Sequence, residues 1–372
     1  MAVNTDLARR LGIEYRIVGF TPSEKVAAAI TRAGGMGVLG CVRFNDPEEL
    51  DRTLDWMDAN TDGKPYGVDI VMPATVPQEG TAVDLDALIP AEHRAFVDRT
   101  LTELGVPPLS HDAAEVGGVL GWLHSVAKSH AEVAFRHPIK LIANALGSPP
   151  ADVVDAAHDH GVPVAALAGK PEHATRHVDK GIDIVIAQGY EAGGHTGEIA
   201  SMVLIPEIVD ALDGRAAVLG AGGIGSGRQI AAALALGAQG VWMGSYWLTT
   251  SEYDLGIRPD GISAFQSAML EATSSDTVRR KIYSGKPARL LRTKWTDAWD
   301  QPGAPSPLPM PLQNLLVGQA HRRIDAAMDP GVVSMPVGQI VGRMNSVRPV
   351  AEVMADLVSE YEETVNRLEK SR

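Results

Sequence analysis

The chain has 372 residues, 45 % hydrophobic and 21 % charged, a globular composition that excludes an intrinsically disordered protein. Its formal charge of −13 repels phosphate backbones and argues against nucleic acid as a partner. The single cysteine, Cys41, excludes an intramolecular disulfide and any cysteine-based metal site; it fits a reducing cytosol, and no metal is expected.

The N-terminal stretch Met1 to Leu11 carries Asp6, Arg9 and Arg10 and lacks an apolar core, so it does not read as a signal peptide. Tyr15 to Val18 is the first predicted strand. A helix is expected after it, with Thr21 as cap, Pro22 at the first helical position and Glu24 completing a capping box. Gly34-Gly35 ends that helix, and a second strand runs from Met36 to Gly40. A helix near Pro47 to Asn60 and a strand at Gly67 to Met72 follow.

The pattern then loosens, and residues 73 to 135 read as an insertion after the third strand, with one helix at Ala91 to Leu104. Strands resume at Ile139 to Asn144, Val162 to Leu167, Asp183 to Gln188, Ala216 to Gly220 and Gly240 to Gly244. Helices fall near Pro150 to His160, Pro171 to Lys180, Ser201 to Leu212 and Ser226 to Leu236. The most apolar stretch, Ile230 to Met243, is interrupted by Gly237, Gln239 and Gly240 and is too short to span a bilayer. A soluble cytoplasmic protein without membrane contact is the expectation.

Eight apolar strands alternating with amphipathic helices predict a parallel sheet closed into a (β/α)8 TIM barrel over residues 1 to 250. Beyond Ser251 the alternation stops. Residues 251 to 345 read as a smaller, mostly helical appended domain, Pro-rich around Pro302 to Pro311. Residues 346 to 372 form a last helix, with Val350, Val353, Met354, Leu357, Tyr361 and Leu368 on the face expected to pack back on the body.

In such a barrel, phosphates favour the loops after strands seven and eight. Gly220-Ala-Gly222-Gly223-Ile-Gly225-Ser226-Gly227 follows strand seven and leads into a helix N-terminus, where backbone N–H groups face an anion. Gly244-Ser245 follows strand eight and adds backbone donors and a hydroxyl. Gly220, Gly222 and Gly225 also satisfy GxGxxG. A dinucleotide site would need an acidic residue about 20 positions on, at the end of the next strand, and none is there. Glycines serving only tight turns are the bland alternative.

Strand six runs into Gln188-Gly-Tyr-Glu-Ala-Gly-Gly-His195-Thr-Gly197. Four glycines in ten residues let a planar ligand approach the backbone, and His195 alone in the loop titrates near neutrality. His195 is the candidate acid or base; a merely solvated histidine is the alternative. Gln188 suits a heterocycle edge or a rim hydrogen bond, and Glu191 reads as structural, satisfying loop amides.

The run QGxEAGGHxG, then AGGIxxGRxIAAALALGAQGVxMG and Thr250-Ser251-Glu252, resembles the nitronate monooxygenase family, formerly the 2-nitropropane dioxygenases. Ala27 to Leu39, Gly67 to Ile70, Ser284-Gly-Lys-Pro-Ala-Arg289 and Gly338-Gln339 match more loosely. The resemblance implies an FMN-binding TIM barrel, with Gly222, Gly223, Gly244 and Ser245 at the phosphate and Gln188 and Gly193 at the flavin. It implies that His195 takes a proton from a nitroalkane in the monooxygenases, or donates one in the related enoyl reductases. Three places depart from the family pattern on its substrate side: Val18-Gly-Phe-Thr21 after strand one, Asp69 where asparagine is usual, and Asn144-Ala-Leu-Gly147 after strand four.

Three functions are therefore open. The first is oxidation of alkyl nitronates with O2 and no nicotinamide. The second is an NAD(P)H-dependent FMN reductase of a quinone, enone or enoyl thioester, which Glu198 to Met202 resembles somewhat more. The third is a non-redox barrel binding a phosphorylated ligand. In each case the partner is a small molecule.

Overall fold

The computed structural model describes residues 6–72, 85–109 and 124–371. Its centre is a closed barrel of parallel strands: β1 (Ile17–Thr21), β2 (Met36–Gly40), β3 (Gly67–Asp69), β4 (Ile142–Asn144), β5 (Val164–Ala168), β6 (Ile184–Gln188), β8 (Ala217–Ala221) and β9 (Gly240–Met243). β9 closes onto β1 through Val18↔Trp242 and Gly19↔Met243. The two-residue β7 (Gly194–His195) stands outside the barrel.

Strand alternation sorts the side chains. Val18, Met36, Val38, Leu141, Ala143, Ala165, Ile184, Ile186, Leu219, Ala221 and Trp242 fill the interior. Their sequence neighbours Leu39, Val68, Ile142, Val164 and Ala166 pack outward under the helices. Helix α1 (Asp6–Leu11) plugs the bottom of the barrel with Leu7, Ala8 and Leu11.

The outer layer holds α2 (Glu24–Arg32), α3 (Pro47–Asn60), and then α4 (Ala91–Glu103) and α5 (His124–Ala134) from the insertion. α6 (Ala151–Asp159), α7 (Pro171–Val178), α8 (Ser201–Leu212) and α9 (Gly227–Ala235) complete it. The structure shortens β3 and β4 relative to the expected strands and moves the boundary between β1 and α2. β1 runs on to Thr21, so Ser23 caps α2 by accepting from the Val26 N–H, and Thr21 Oγ1 accepts from the Ser23 N–H at 3.2 Å. Two small polar residues so close to the turn made the cap ambiguous. Parts of the expected insertion, residues 73–84 and 110–123, lie outside the described residues.

The appendage holds α10 (Ala264–Glu271), α11 (Lys294–Ala298) and α12 (Leu312–Ala327), but it is not only helical. β10 (Thr277–Arg280) and β11 (Ala288–Leu291) form an antiparallel hairpin, and β11 pairs with β7 to make a three-stranded sheet. The inserted α4 joins the appendage rather than the barrel. Phe96, Val97 and Leu101 share a core with Trp295, Trp299, Leu316 and Ile324, and Phe96 meets Trp299 edge-on at 4.9 Å.

Helix α13 (Val350–Lys370) returns to the barrel and packs on α9 and α2 through Val350, Val353, Met354 and Leu357. Gly227 permits the approach, since a Cβ there would lie 2.1 Å from the Tyr361 nitrogen. Leu368, expected on that face, is 56 % exposed because α13 outruns the surface it covers.

Candidate active site

The C-terminal ends of the strands form the mouth. Counting by twos from the interior residues brings Phe20, Asp69, Leu167 and Gln188 into the topmost inward positions. Phe20 stacks on Trp242 at 6.1 Å, so an aromatic pair floors the side between β1 and β9. Gln188 is half-buried, and among the described residues its side-chain amide makes no hydrogen bond.

β6, β8 and β9 are neighbours, through Gln188↔Ala221 and Ala221↔Trp242. Adjacency of these strands is what brings both glycine loops and Gln188 together. Gly222 and Gly223 have φ of +98° and +70°, a region that favours glycine, and their N–H groups bond to no backbone carbonyl among the described residues. Gly244 is different. A Cβ there would meet only Phe20, at 3.6 Å, so the fold itself does not demand glycine and a side chain would occupy the mouth.

Ser245 starts a short 3-10 helix (Ser245–Thr249), and its Oγ accepts from the Gly338 N–H at 2.9 Å, leaving its own proton to donate. Ser226 and Gln229 meanwhile rigidify the loop. Ser226 caps α9, and the Gln229 side chain accepts from the Gly225 N–H at 3.0 Å and donates to the Gly223 carbonyl. N–H groups, a hydroxyl proton and an amide without partners among the described residues suit a phosphate ester with a planar heterocycle beside it.

The His195 loop is more rigid than its glycines suggest. His195 lies in β7, opposite Ala288 of β11. Arg279 donates to Thr196 Oγ1 and O at 3.0 and 2.8 Å. Arg289, 2 % exposed, donates to the Tyr190 carbonyl from Nε and Nη2 at 3.2 and 3.0 Å. The glycines serve contacts within the protein more than a ligand. A Cβ on Gly189 would strike Ser201, one on Gly193 would strike Val337 and Gly338, and one on Gly197 would strike Gly169. Only Gly194, with φ +74°, is open. Glu191 accepts from the Ser201 N–H and Oγ and so holds the start of α8.

His195 Nε2 and Ser284 Oγ share a 2.6 Å hydrogen bond, and Ser284 Oγ also accepts from the Lys286 N–H. Nδ1 makes no bond among the described residues, which leaves it to exchange a proton. Burial, and secondarily the Lys286 ammonium, push the imidazole down to about 4, so it is neutral at pH 7. The Tyr283 ring meets it edge-on at 6.4 Å and stacks on His321 at 5.1 Å.

Sequence reasoning gave Ser284, Arg279 and Arg289 no role. They are 83 to 99 positions from their partners, and only the β7–β11 pairing unites them. Two of the departures also resolve. Asn144 is fully buried; its Oδ1 accepts from the Met72 N–H and its Nδ2 donates to the Met72 and Gly147 carbonyls, so it clamps two loops rather than facing a substrate. Asp69 faces the mouth, and burial pushes its carboxyl up to about 7.

Comparison with known proteins places this geometry. The sequence profile of the nitronate monooxygenase family matches residues 12–360. A Mycobacterium tuberculosis relative, whose name assigns it to the monooxygenases, is 47 % identical over 99 % of both chains. A Staphylococcus aureus protein named a probable nitronate monooxygenase is 24 % identical over 95 % of this chain and 96 % of its own. Among solved structures, a nitroalkane oxidase from Streptomyces ansochromogenes superposes with a TM-score of 0.80 at 23 % identity, covering 98 % of this chain and all of that one. FabK from Thermotoga maritima gives 0.75 at 25 % identity over the full length of both.

Proposed function

The chain belongs to the nitronate monooxygenase family and is a flavin-dependent oxidoreductase with a TIM-barrel fold, and on that footing we propose that it oxidises alkyl nitronates with O2, using FMN as its flavin and His195 as acid/base. When bound, FMN supplies the electron-accepting ring. The N–H groups of Gly222, Gly223 and Gly244 and the Ser245 hydroxyl would hold its phosphate, with Gln188 and Gly193 at the ring.

The observation that carries the reading is the state of His195. An imidazole anchored at one nitrogen by Ser284, and unbonded at the other among the described residues, is held in its neutral form at pH 7. It is present as a base, though a weaker one than an ordinary histidine, and scarcely as an acid. That favours removal of a proton from the carbon next to a nitro group over protonation of a reduced substrate. Ser284 fixes the ring plane, and the β7–β11 pairing fixes its distance from the mouth.

The test is direct. The flavin released by heat from the purified protein should be FMN, and the protein should consume O2 with an alkyl nitronate and no nicotinamide. Recovery of FAD would overturn the single-phosphate cradle. O2 uptake that requires NADH or NADPH would move the protein to the reductases, the reading in which NAD(P)H serves as reductant.

A further inference from the structure

Helix α12 reaches the His195 side of the mouth through aromatic contacts. His321 on this helix stacks on Tyr283 at 5.1 Å, and Tyr283 meets His195 edge-on at 6.4 Å. Asp325 lies one turn further along the same face, with its Cβ about 5–6 Å from that of His321. The neighbouring stripe of Leu316, Val317, Ala320 and Ile324 is buried in the core shared with Trp295 and Trp299, which fixes the rotation of the helix. Asp325 is exposed, yet the protein around it desolvates its carboxyl and pushes it up to about 6. Its charge, after burial, raises the hydroxyls of both Tyr253, which follows β9, and Tyr283 in the appendage. A carboxyl that is open to water, desolvated, and set between barrel and appendage stands in a recess.

Among the described residues Asp325 has no hydrogen-bond or ion-pair partner. His321 is pushed down to about 4 by burial, so it is neutral at pH 7, and its Nε2 is held by Ser334 Oγ at 3.1 Å. Arg43 is engaged by Glu24 at 2.7 Å and the Pro22 carbonyl at 3.0 Å. Arg323 on α12 donates to the Val106 and Pro107 carbonyls at 2.9 and 3.0 Å. Asp254, the other acid acting on Tyr253, is already paired with Lys25 at 2.8 Å. The nearer end of the recess has the opposite sign, because the Lys286 ammonium acts on His195 there. A substrate whose nitronate charge lies at the His195 end and whose far end is cationic would match both.

We propose that Asp325 is a specificity-determining residue that receives the far end of the substrate, selecting nitronates whose chain ends in an ammonium group and rejecting those that end in a carboxylate. The inference rests on the nitronate reading. An ammonium supplies the donors that this carboxylate lacks, whereas a second carboxylate meets a like charge.

The experiment measures kcat and KM at pH 8 for preformed nitronates with propyl to octyl chains, each ending in a methyl, an ammonium or a carboxylate group. Asp325 is ionised and the ammonium still protonated at that pH. At its best chain length, wild type should prefer the ammonium over the methyl substrate by about tenfold, and the methyl over the carboxylate by a similar factor, chiefly through KM. Asp325→Asn should bring both ratios toward one. Asp210→Asn removes an exposed carboxyl near the C-terminal end of α8, away from the mouth, and should keep the wild-type ratios. That control separates local contact from steering by the net charge of −13. Equal kcat/KM for the three end groups in wild type, or a preference that survives Asp325→Asn, would overturn the inference and leave the nitronate reading intact. A protein that oxidises none of these nitronates would remove both.

Discussion

An imidazole pushed down to about 4 stays a base across the neutral range, and this sets what its removal should do. His195→Asn should keep its flavin and lose about 10²-fold or more of its turnover on a neutral nitroalkane, the usual share of positioned proton transfer. The corresponding nitronate has already lost that proton and should be affected far less. In the wild type, kcat/KM for the nitroalkane should fall only as pH drops toward 4, not near 6.5; equal losses on both substrates would contradict the base role. Ser284→Ala removes the bond at Nε2 and should cost about fivefold on the nitroalkane, the size of one hydrogen bond of roughly 1 kcal/mol. Ser284→Thr should restore the pH profile if positioning is its role. His195 was visible in the sequence because a histidine in a glycine-rich strand end stands out. Ser284 was not, since nothing local distinguishes a serine whose partner comes from another domain.

At the scale of elements, the two glycine loops proposed to hold the phosphate were legible as the loops that follow β8 and β9, because glycine clusters punctuate consecutive barrel strands. Gly223→Asp should abolish flavin retention with the barrel still folded, since the new carboxylate sits among the amide donors. A full complement of flavin in that variant would put the phosphate elsewhere. β7 was not legible: two residues have no periodicity, and their strand character comes entirely from β11. At the opposite end of the barrel, His137 bridges Asp58 at 2.8 Å and Asp51 at 3.2 Å, and the Tyr66 hydroxyl donates to Asp58 at 2.6 Å. This clamp ties the start of β3 and the approach to β4 onto α3, far from the mouth, where a barrel's stability residues sit. His137→Ala should lower stability by about 1–2 kcal/mol in denaturant unfolding and leave flavin retention unchanged. Loss of flavin in that variant would show that the two ends are coupled.

On the scale of the whole molecule, eightfold alternation made the barrel readable, while the union of the insertion with the appendage was not, because their shared core joins segments almost 200 residues apart. The same burial sets the pH response of stability. His195 and His321 are both pushed down to about 4, and His130 and His177 are lowered too, chiefly by burial. The folded chain therefore binds fewer protons than the unfolded one. Stability from these groups is full above about 6.5 and is lost as pH falls toward 4. Asp69 and Asp325, pushed up by burial to about 7 and about 6, work the other way, their contribution full below about 4 and lost as pH rises through those values, but they are two groups against four. Tm by calorimetry should drop by several degrees between pH 6.5 and 4.5; a constant Tm over that range would contradict the neutral histidines. The central claim, a flavin enzyme whose electrons come from a nitronate, is tested most directly by anaerobic mixing of the yellow protein with an alkyl nitronate, NADH or NADPH in turn. The nitronate alone should bleach the flavin, and bleaching by a nicotinamide but not by the nitronate would contradict it.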